Sequence, residues 1–550
     1  MSPGRPPTWL APVTLVSIAV LVAAPGLWNG FAGDDVYIIA QSAQVRALLP
    51  PWDYFAQSYW PPEFGGSLYR PLAVLGFALQ WKIGGGSPVV FHAVNLLVYA
   101  VTVALVWVLA RQVLAGGAAW LVTAFFAVHP VHVEAVANSV GQSEMLVTAL
   151  HLAAVAWYLG ARRAGGPSRG AIAGLATLYL LSCFTKENGL VLPALLLLAE
   201  FTLLPATEPL SIRLRRLAPV FGVLLVVGAG YLATRSAVVG GVIGEYPHPA
   251  IRGVSFGSRV LTMLGVVPQW WRLLLVPWHL QADYMPLELD RATGLGAAQV
   301  LGLLVVAGWG WAAWRARRRC PVTTFGLGWV AVAVLPVSNI LVPTGILLAE
   351  RTLFLASVGA CLAIGGTAPW LAGLVKAASR RERLVAGAIL GAVLLLWTGR
   401  SMTRARVWRS DQVLVHQTVL DAPLSYRAHA VRGRILFEEG NPALGEQEYQ
   451  TAIRLYPHDP NVFAGLARHY REAGHCAPAI QLFRRALELA PNMPHARSLY
   501  IDCLARTGDS SGAAAALAEK VRRGDPDTSL VRSRIDSLSR IVPAEQPSAP

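Results

Sequence analysis

The chain has 550 residues, 54% hydrophobic and only 14% charged, with a formal net charge of +15 and a mean hydropathy of +0.48. This balance excludes an ordinary soluble domain and fits an integral membrane protein. The surplus Lys and Arg sits in short clusters between apolar runs, which argues against nucleic-acid binding and for the positive-inside pattern.

The first apolar run, Trp9 to Trp28, has no convincing small-residue cleavage site and is read as a retained first helix. Directly after it comes Gly33-Asp34-Asp35. Carboxylates this close to a bilayer are costly unless they face water or a substrate. Taken alone, the dipeptide also suits a helix N-cap. Residues 40–82 mix Trp, Tyr, Pro and charges, as interfacial helices do.

Further runs near 88–110, 117–129, 143–160, 171–185, 189–205, 217–235, 294–314, 322–341, 352–374 and 384–399 bring the expected crossings to about eleven. Between them, residues 255–280, with Trp270, Trp271 and Trp278, read as an interfacial segment or a re-entrant pair. The basic clusters at Arg111, Arg162 with Arg163, Arg213 to Arg216, Arg315 to Arg319 and Lys376 to Arg383 fall in alternate loops. Those loops are then cytoplasmic. The acidic pair, the His129 to Gln142 loop, Lys186-Glu187-Asn188, Asp283-Tyr284 and Glu350-Arg351 fall on the opposite side.

Beyond residue 400 the chain turns polar and repeats itself at the 34-residue tetratricopeptide period. Residues 426–459 over 460–493 align Gly440 with Gly474, Tyr449 with Phe483, Ala452 with Ala486 and Pro457 with Pro491, and 494–527 is a weaker third copy. The five cysteines form neither a disulfide framework nor a metal spacing; Cys476 and Cys503 in this tail are candidates for pairing but read first as two buried helix cysteines. The expected architecture is all-α: a polytopic membrane helix bundle over 1–400, a short repeat solenoid over 401–527 and a disordered tail over 528–550.

The wording of Gly33-Asp34-Asp35, Tyr69-Arg70-Pro71-Leu72, His92 with Asn95, Phe126 through Ala137, Lys186-Glu187-Asn188, Asp283-Tyr284 and Glu350-Arg351, followed by the repeats, resembles the transmembrane and tetratricopeptide-repeat O-mannosyltransferase family. These are membrane-embedded glycosyltransferases of the GT-C type, and the likeness covers residues from about 9 to 527. It departs from the family in Asn138 to Glu144, where relatives commonly carry an Arg before the Glu.

The resemblance implies transfer of a hexose, by analogy mannose, from a polyprenyl-phosphate carrier to Ser or Thr of an extracytoplasmic protein held by the repeats. It implies that an acid of the first external loop is the base, here Asp35, with Asp34 as its neighbour or a cap. A hydroxyl is too weak an acid to attack unaided, so the reaction calls for such a group. Arg70, Lys186 and Arg351 are the candidate cations for the leaving phosphate, with span-end snorkelling as the plainer alternative. Glu187 and Glu350, each adjacent to a cation, are expected to fix its rotamer.

His129, His132, Glu134 and Glu144 are expected to line the polar pocket, and Asp283 its rim. His-x-x-His-x-Glu matches no zinc motif and Pro130 interrupts it, so no cofactor is assigned, and a divalent metal is left open. The setting expected is the bacterial cytoplasmic membrane. The rival readings are a membrane-anchored repeat scaffold without catalysis, a flippase or transporter, and a transferase that modifies glycans or lipids.

Overall fold

The computed structural model describes residues 9–61, 68–241 and 247–525, and among these every regular element is helical. The tail expected beyond residue 527 lies outside the described residues. Two compact units form: one holds the chain up to Tyr284 and Leu289–Gln417, the other Met285–Glu288 and the chain from Thr418.

Among the described residues of the first unit, six helices are long and apolar enough to cross a membrane, or seven if the bent pair Gly116–Ala127 and Pro130–Ala137 is one span. Leu10–Gly26, Arg169–Thr185 and Pro321–Val337 are shorter apolar helices. Every apolar run picked out in the sequence carries a helix, but several are cut short by Pro or by a polar turn. The bend of 46° falls where Pro130, which has no N–H to give, follows His129. Residues 256–275 form one helix, Phe256–Leu275, rather than a re-entrant pair.

Burial sorts these helices. Of the most apolar window, 72% is buried in Glu350–Gly373 and 67% in Ser139–Arg163, against 6% in both Ala297–Ala316 and Arg380–Arg409. The first two form the centre of the bundle. The other two present Leu304, Trp311, Trp314, Leu395 and Leu396 outward, as a lipid-facing helix does.

At the far end of Gln142–Arg163 lies a buried cluster that the basic-loop pattern did not reveal. Glu200 receives Arg162 through two bonds of 2.9 Å, Arg213 Nε at 2.7 Å and the Tyr158 hydroxyl at 2.7 Å. Two arginines from the basic clusters are thus spent on one carboxylate with no exposed surface.

In the second unit, the helices Tyr426–Glu438, Pro460–Glu472 and Pro494–Arg506 begin one period apart, and so do Pro442–Leu455, Cys476–Leu489 and Ser510–Arg522. Gly440, Gly474 and Gly508 close the first helix of each pair at φ of +79°, +83° and +81°. A side chain is strained in that left-handed conformation, which is why the period carries Gly there. Tyr449, Ala452, Val462 and Leu466 share one core cluster with Met285. Leu424 N–H donates to Glu288 Oε1 at 2.9 Å, so Met285–Glu288 helps finish the first repeat.

Candidate active site

The segment that carries the acidic pair is pinned by one side-chain and two backbone donors. Asn29 donates to the Ala405 carbonyl at 3.0 Å, Gly30 N–H to the Arg409 carbonyl at 2.9 Å, and Gly33 N–H to Asp411 Oδ1 at 3.0 Å. Ala32, Val133, Ala137, Ala405, Trp408 and Leu414 pack together beneath it. The end of the last apolar helix therefore shapes the first loop.

Within the pair the two carboxylates have different surroundings. Asp35 is 1% exposed, and its Oδ2 and Oδ1 accept the Ser139 and Val140 backbone N–H groups, each at 2.8 Å. Burial pushes it up to about 7, with the two N–H groups pulling the other way. It thus caps from a distance the turn that starts Gln142–Arg163. Gly141 makes that turn fit, since a Cβ there would come within 2.3 Å of the Ala135 carbonyl oxygen. The Asp34 side chain is 26% exposed and lies 3.3 Å from Arg351 Nη2.

Arg351 is held from the other side by Glu134: Nη1 donates to Oε1 at 2.7 Å, and the Arg351 backbone N–H to Oε2 at 2.9 Å. Glu134 reaches it from the Val133–Ala137 turn. Arg70 bonds Glu187 at 3.0 Å through Nε and at 2.9 Å through Nη2, and Arg235 approaches the other Glu187 oxygen at 3.4 Å. The Arg70 guanidinium also lies 4.7 Å over the Tyr59 ring. Lys186 is paired with Glu144 in a buried salt bridge.

These groups form one electrostatic neighbourhood. Burial raises the Tyr59 hydroxyl well above the ordinary phenol range, and Arg70, Asp34, Arg351 and Asp35 all lie close enough to act on it. Burial lowers Lys186, against the pull of Glu144, while Arg70 adds to the lowering. Burial would raise Glu187, but Arg70 and Arg235 bring it down to about 2.

Sequence neighbours do not pair, contrary to expectation. Glu350 does not hold Arg351; it accepts from the Gln281 backbone N–H and from the Tyr284 hydroxyl at 3.2 Å. Glu187 serves Arg70 and Arg235, not Lys186. Both dipeptides sit at the start of 3₁₀ turns, where consecutive side chains point about 120° apart. Asp283 is half-buried beside Tyr284, which is itself buried.

His129 and His132 are 2% exposed and fully engaged within the fold. His129 Nε2 bonds the Leu274 carbonyl at 3.0 Å and Nδ1 accepts Val131 N–H at 3.2 Å. His132 bonds the Tyr99 hydroxyl at 3.0 Å and Ser357 Oγ at 2.8 Å. His92 reaches the Gly30 carbonyl at 3.3 Å, and Gln142 bonds Asn95 Oδ1 at 3.0 Å, which knits the floor of the site. Among the described residues no three His, Cys, Asp or Glu side chains converge to hold a metal.

Tyr59 and Arg235 were missed in the sequence. Tyr59 lay in a segment read only as interfacial, and Arg235 within an apolar run, where an arginine is a signal in its own right.

Residues 412–460 and 465–528 match the tetratricopeptide repeat family. Over 509 residues, 82% of the chain, it is 28% identical to protein O-mannosyl-transferase TMTC4 of Homo sapiens, spanning 66% of that protein. Over 454 residues, 80% of the chain, it is 24% identical to protein O-mannosyl-transferase F38B6.6 of Caenorhabditis elegans, spanning 62% of it. It is 33% identical to protein O-mannosyl-transferase Tmtc2 of Drosophila melanogaster over 316 residues, 54% of the chain and 33% of that protein. The chain spans less than two thirds of the length of each of these relatives. All three are named protein O-mannosyl-transferases.

Proposed function

We propose that this chain is a glycosyltransferase that moves a hexose, mannose by the names of its relatives, from a polyprenyl-phosphate carrier to a Ser or Thr hydroxyl of a protein outside the cytoplasm. In place of the Asp35 expected from the sequence, Asp34 is the base and Asp35 the group that positions it. The observation that supports this reading is the contrast within the pair: both Asp35 oxygens are spent on backbone N–H groups, whereas Asp34 is partly exposed and faces Arg351.

The acceptor oxygen attacks the anomeric carbon as its proton passes to Asp34 Oδ1 or Oδ2, and the carbon–oxygen bond to the carrier phosphate breaks with inversion. The departing phosphate takes the bonding electrons and needs no proton, so one carboxylate suffices. Arg70 and Lys186 supply positive charge beside the site, each already oriented by a carboxylate, and so cost little reorganisation when the phosphate develops charge. Arg351, 3.3 Å from Asp34, holds that carboxylate in place. The concave face of the repeats receives the acceptor polypeptide in extended form.

Transfer of labelled mannose from a polyprenyl-phosphate donor to an acceptor protein tests this in reconstituted membranes. Asp34→Asn should lower turnover by about 10²-fold or more while leaving the fold and donor binding intact. Asp35→Asn should lower thermal stability together with activity. Full transfer by the Asp34→Asn protein would end the assignment of the base, and absence of transfer by the wild type with every polyprenyl donor offered would end the reading.

A further inference from the structure

The second unit contains two of the five cysteines, and they share one buried apolar cluster. Cys476 opens the second helix of one repeat, and Cys503 lies in the first helix of the next, Pro494–Arg506. Both thiols are reduced and buried, Cys476 at 5% exposure and Cys503 at 0%. They belong to one apolar cluster with Ala467, Ala479, Phe483 and Ala496, and are within hydrogen-bonding contact of each other. One period earlier, the equivalent positions hold Pro442 and His469, so the solenoid packs without thiols there.

We infer that Cys476 and Cys503 are a built redox pair that closes to a disulfide, stapling the second repeat to the third. The inference rests on the extracytoplasmic placement proposed above, because disulfides persist in oxidising compartments. The Cys476 thiolate attacks one sulfur of an external disulfide, of the kind carried by glutathione or a thiol oxidoreductase, and releases one thiol. Cys503 then loses its proton, attacks Cys476 Sγ in the mixed disulfide and expels the second thiol. The two cysteines together give up two electrons, and the external disulfide is reduced to two thiols. The order follows from exposure. Cys476 keeps a small exposed surface and Cys503 none, so Cys476 makes the first attack.

The test uses the full chain in membranes. Protein from cells treated with N-ethylmaleimide before lysis, and purified protein treated with oxidised glutathione, are digested with trypsin and searched for the peptide 472–484 joined to 498–506. The expected result is the linked peptide in both samples, and its loss in Cys476→Ala and Cys503→Ala, together with the rise in melting temperature that oxidation gives the wild type.

Glutathione adducts without the linked peptide in the purified protein would overturn the geometry. A linked peptide in the purified protein alone would overturn the disulfide in cells. Failure of the placement is read separately: Ser511→Cys, exposed on Ser510–Arg522, in the Cys476→Ala/Cys503→Ala chain, should react with an impermeant maleimide on intact cells if the repeats lie outside.

Discussion

Arg351 and Glu134, separated by 217 residues of chain, meet twice: guanidinium to carboxylate at 2.7 Å and backbone N–H to the second carboxylate oxygen at 2.9 Å. Glu134 thus fixes both the side chain that faces Asp34 and the peptide that carries it. Arg351→Lys keeps the charge but loses the fork that reaches two acids at once. It should lower kcat more than it raises KM for the donor. Glu134→Gln should cost about as much, and the double variant less than the sum, which a double-mutant cycle on transfer rates would read.

Arg70 and Lys186 are proposed as phosphate contacts, so Arg70→Gln and Lys186→Met should weaken the donor and its product together. The measurement is competition by the free polyprenyl phosphate. A loss of about tenfold or more in product affinity for each variant is expected. Unchanged product binding would return both residues to the role of anchors.

Glu187 gives a pH signature. Its folded value of about 2 lies below the 4.5 of a free glutamate, because Arg70 and Arg235 outweigh its burial. A carboxylate lowered in this way stabilises the fold fully above about pH 4.5, and the contribution, at most about 3 kcal/mol, is lost as pH falls from there towards 2. Melting temperatures of wild type and Glu187→Gln in detergent should therefore differ most at neutral pH and converge on acidification. A gap constant across that window would place the stabilisation elsewhere.

The Glu200 cluster predicts a loss of stability without a change in chemistry. Glu200→Gln leaves Arg162 and Arg213 without a counter-charge while both remain largely buried. Removing one partner of such a group costs about 3–5 kcal/mol, which should lower the melting temperature and leave KM of the surviving protein unchanged.

The large-scale architecture was open to reading because it is repetitive or bulk-hydrophobic. Helical runs follow from stretches of apolar residues, and Gly440, Gly474 and Gly508 mark the solenoid because each must adopt a left-handed turn. The charged residues at span ends stood out too, since they are few. Their pairing did not. Lys186 next to Glu187, and Arg351 next to Glu350, suggested contacts that the 3₁₀ turns direct elsewhere, and nothing local in Asp35 shows that Ser139 and Val140 will occupy it. Pairings of this kind arise from the path of helices hundreds of residues apart.

Gly33 N–H on Asp411 Oδ1 has a mechanical consequence. Asp411 opens the helix Asp411–Asp421, from which the chain runs on into the repeats, and Gly33 is the peptide before Asp34. The peptide next to the proposed base is thus held by the first residue of that helix, and Asp411→Ala should loosen it, which faster hydrogen exchange at the Gly33 amide would show.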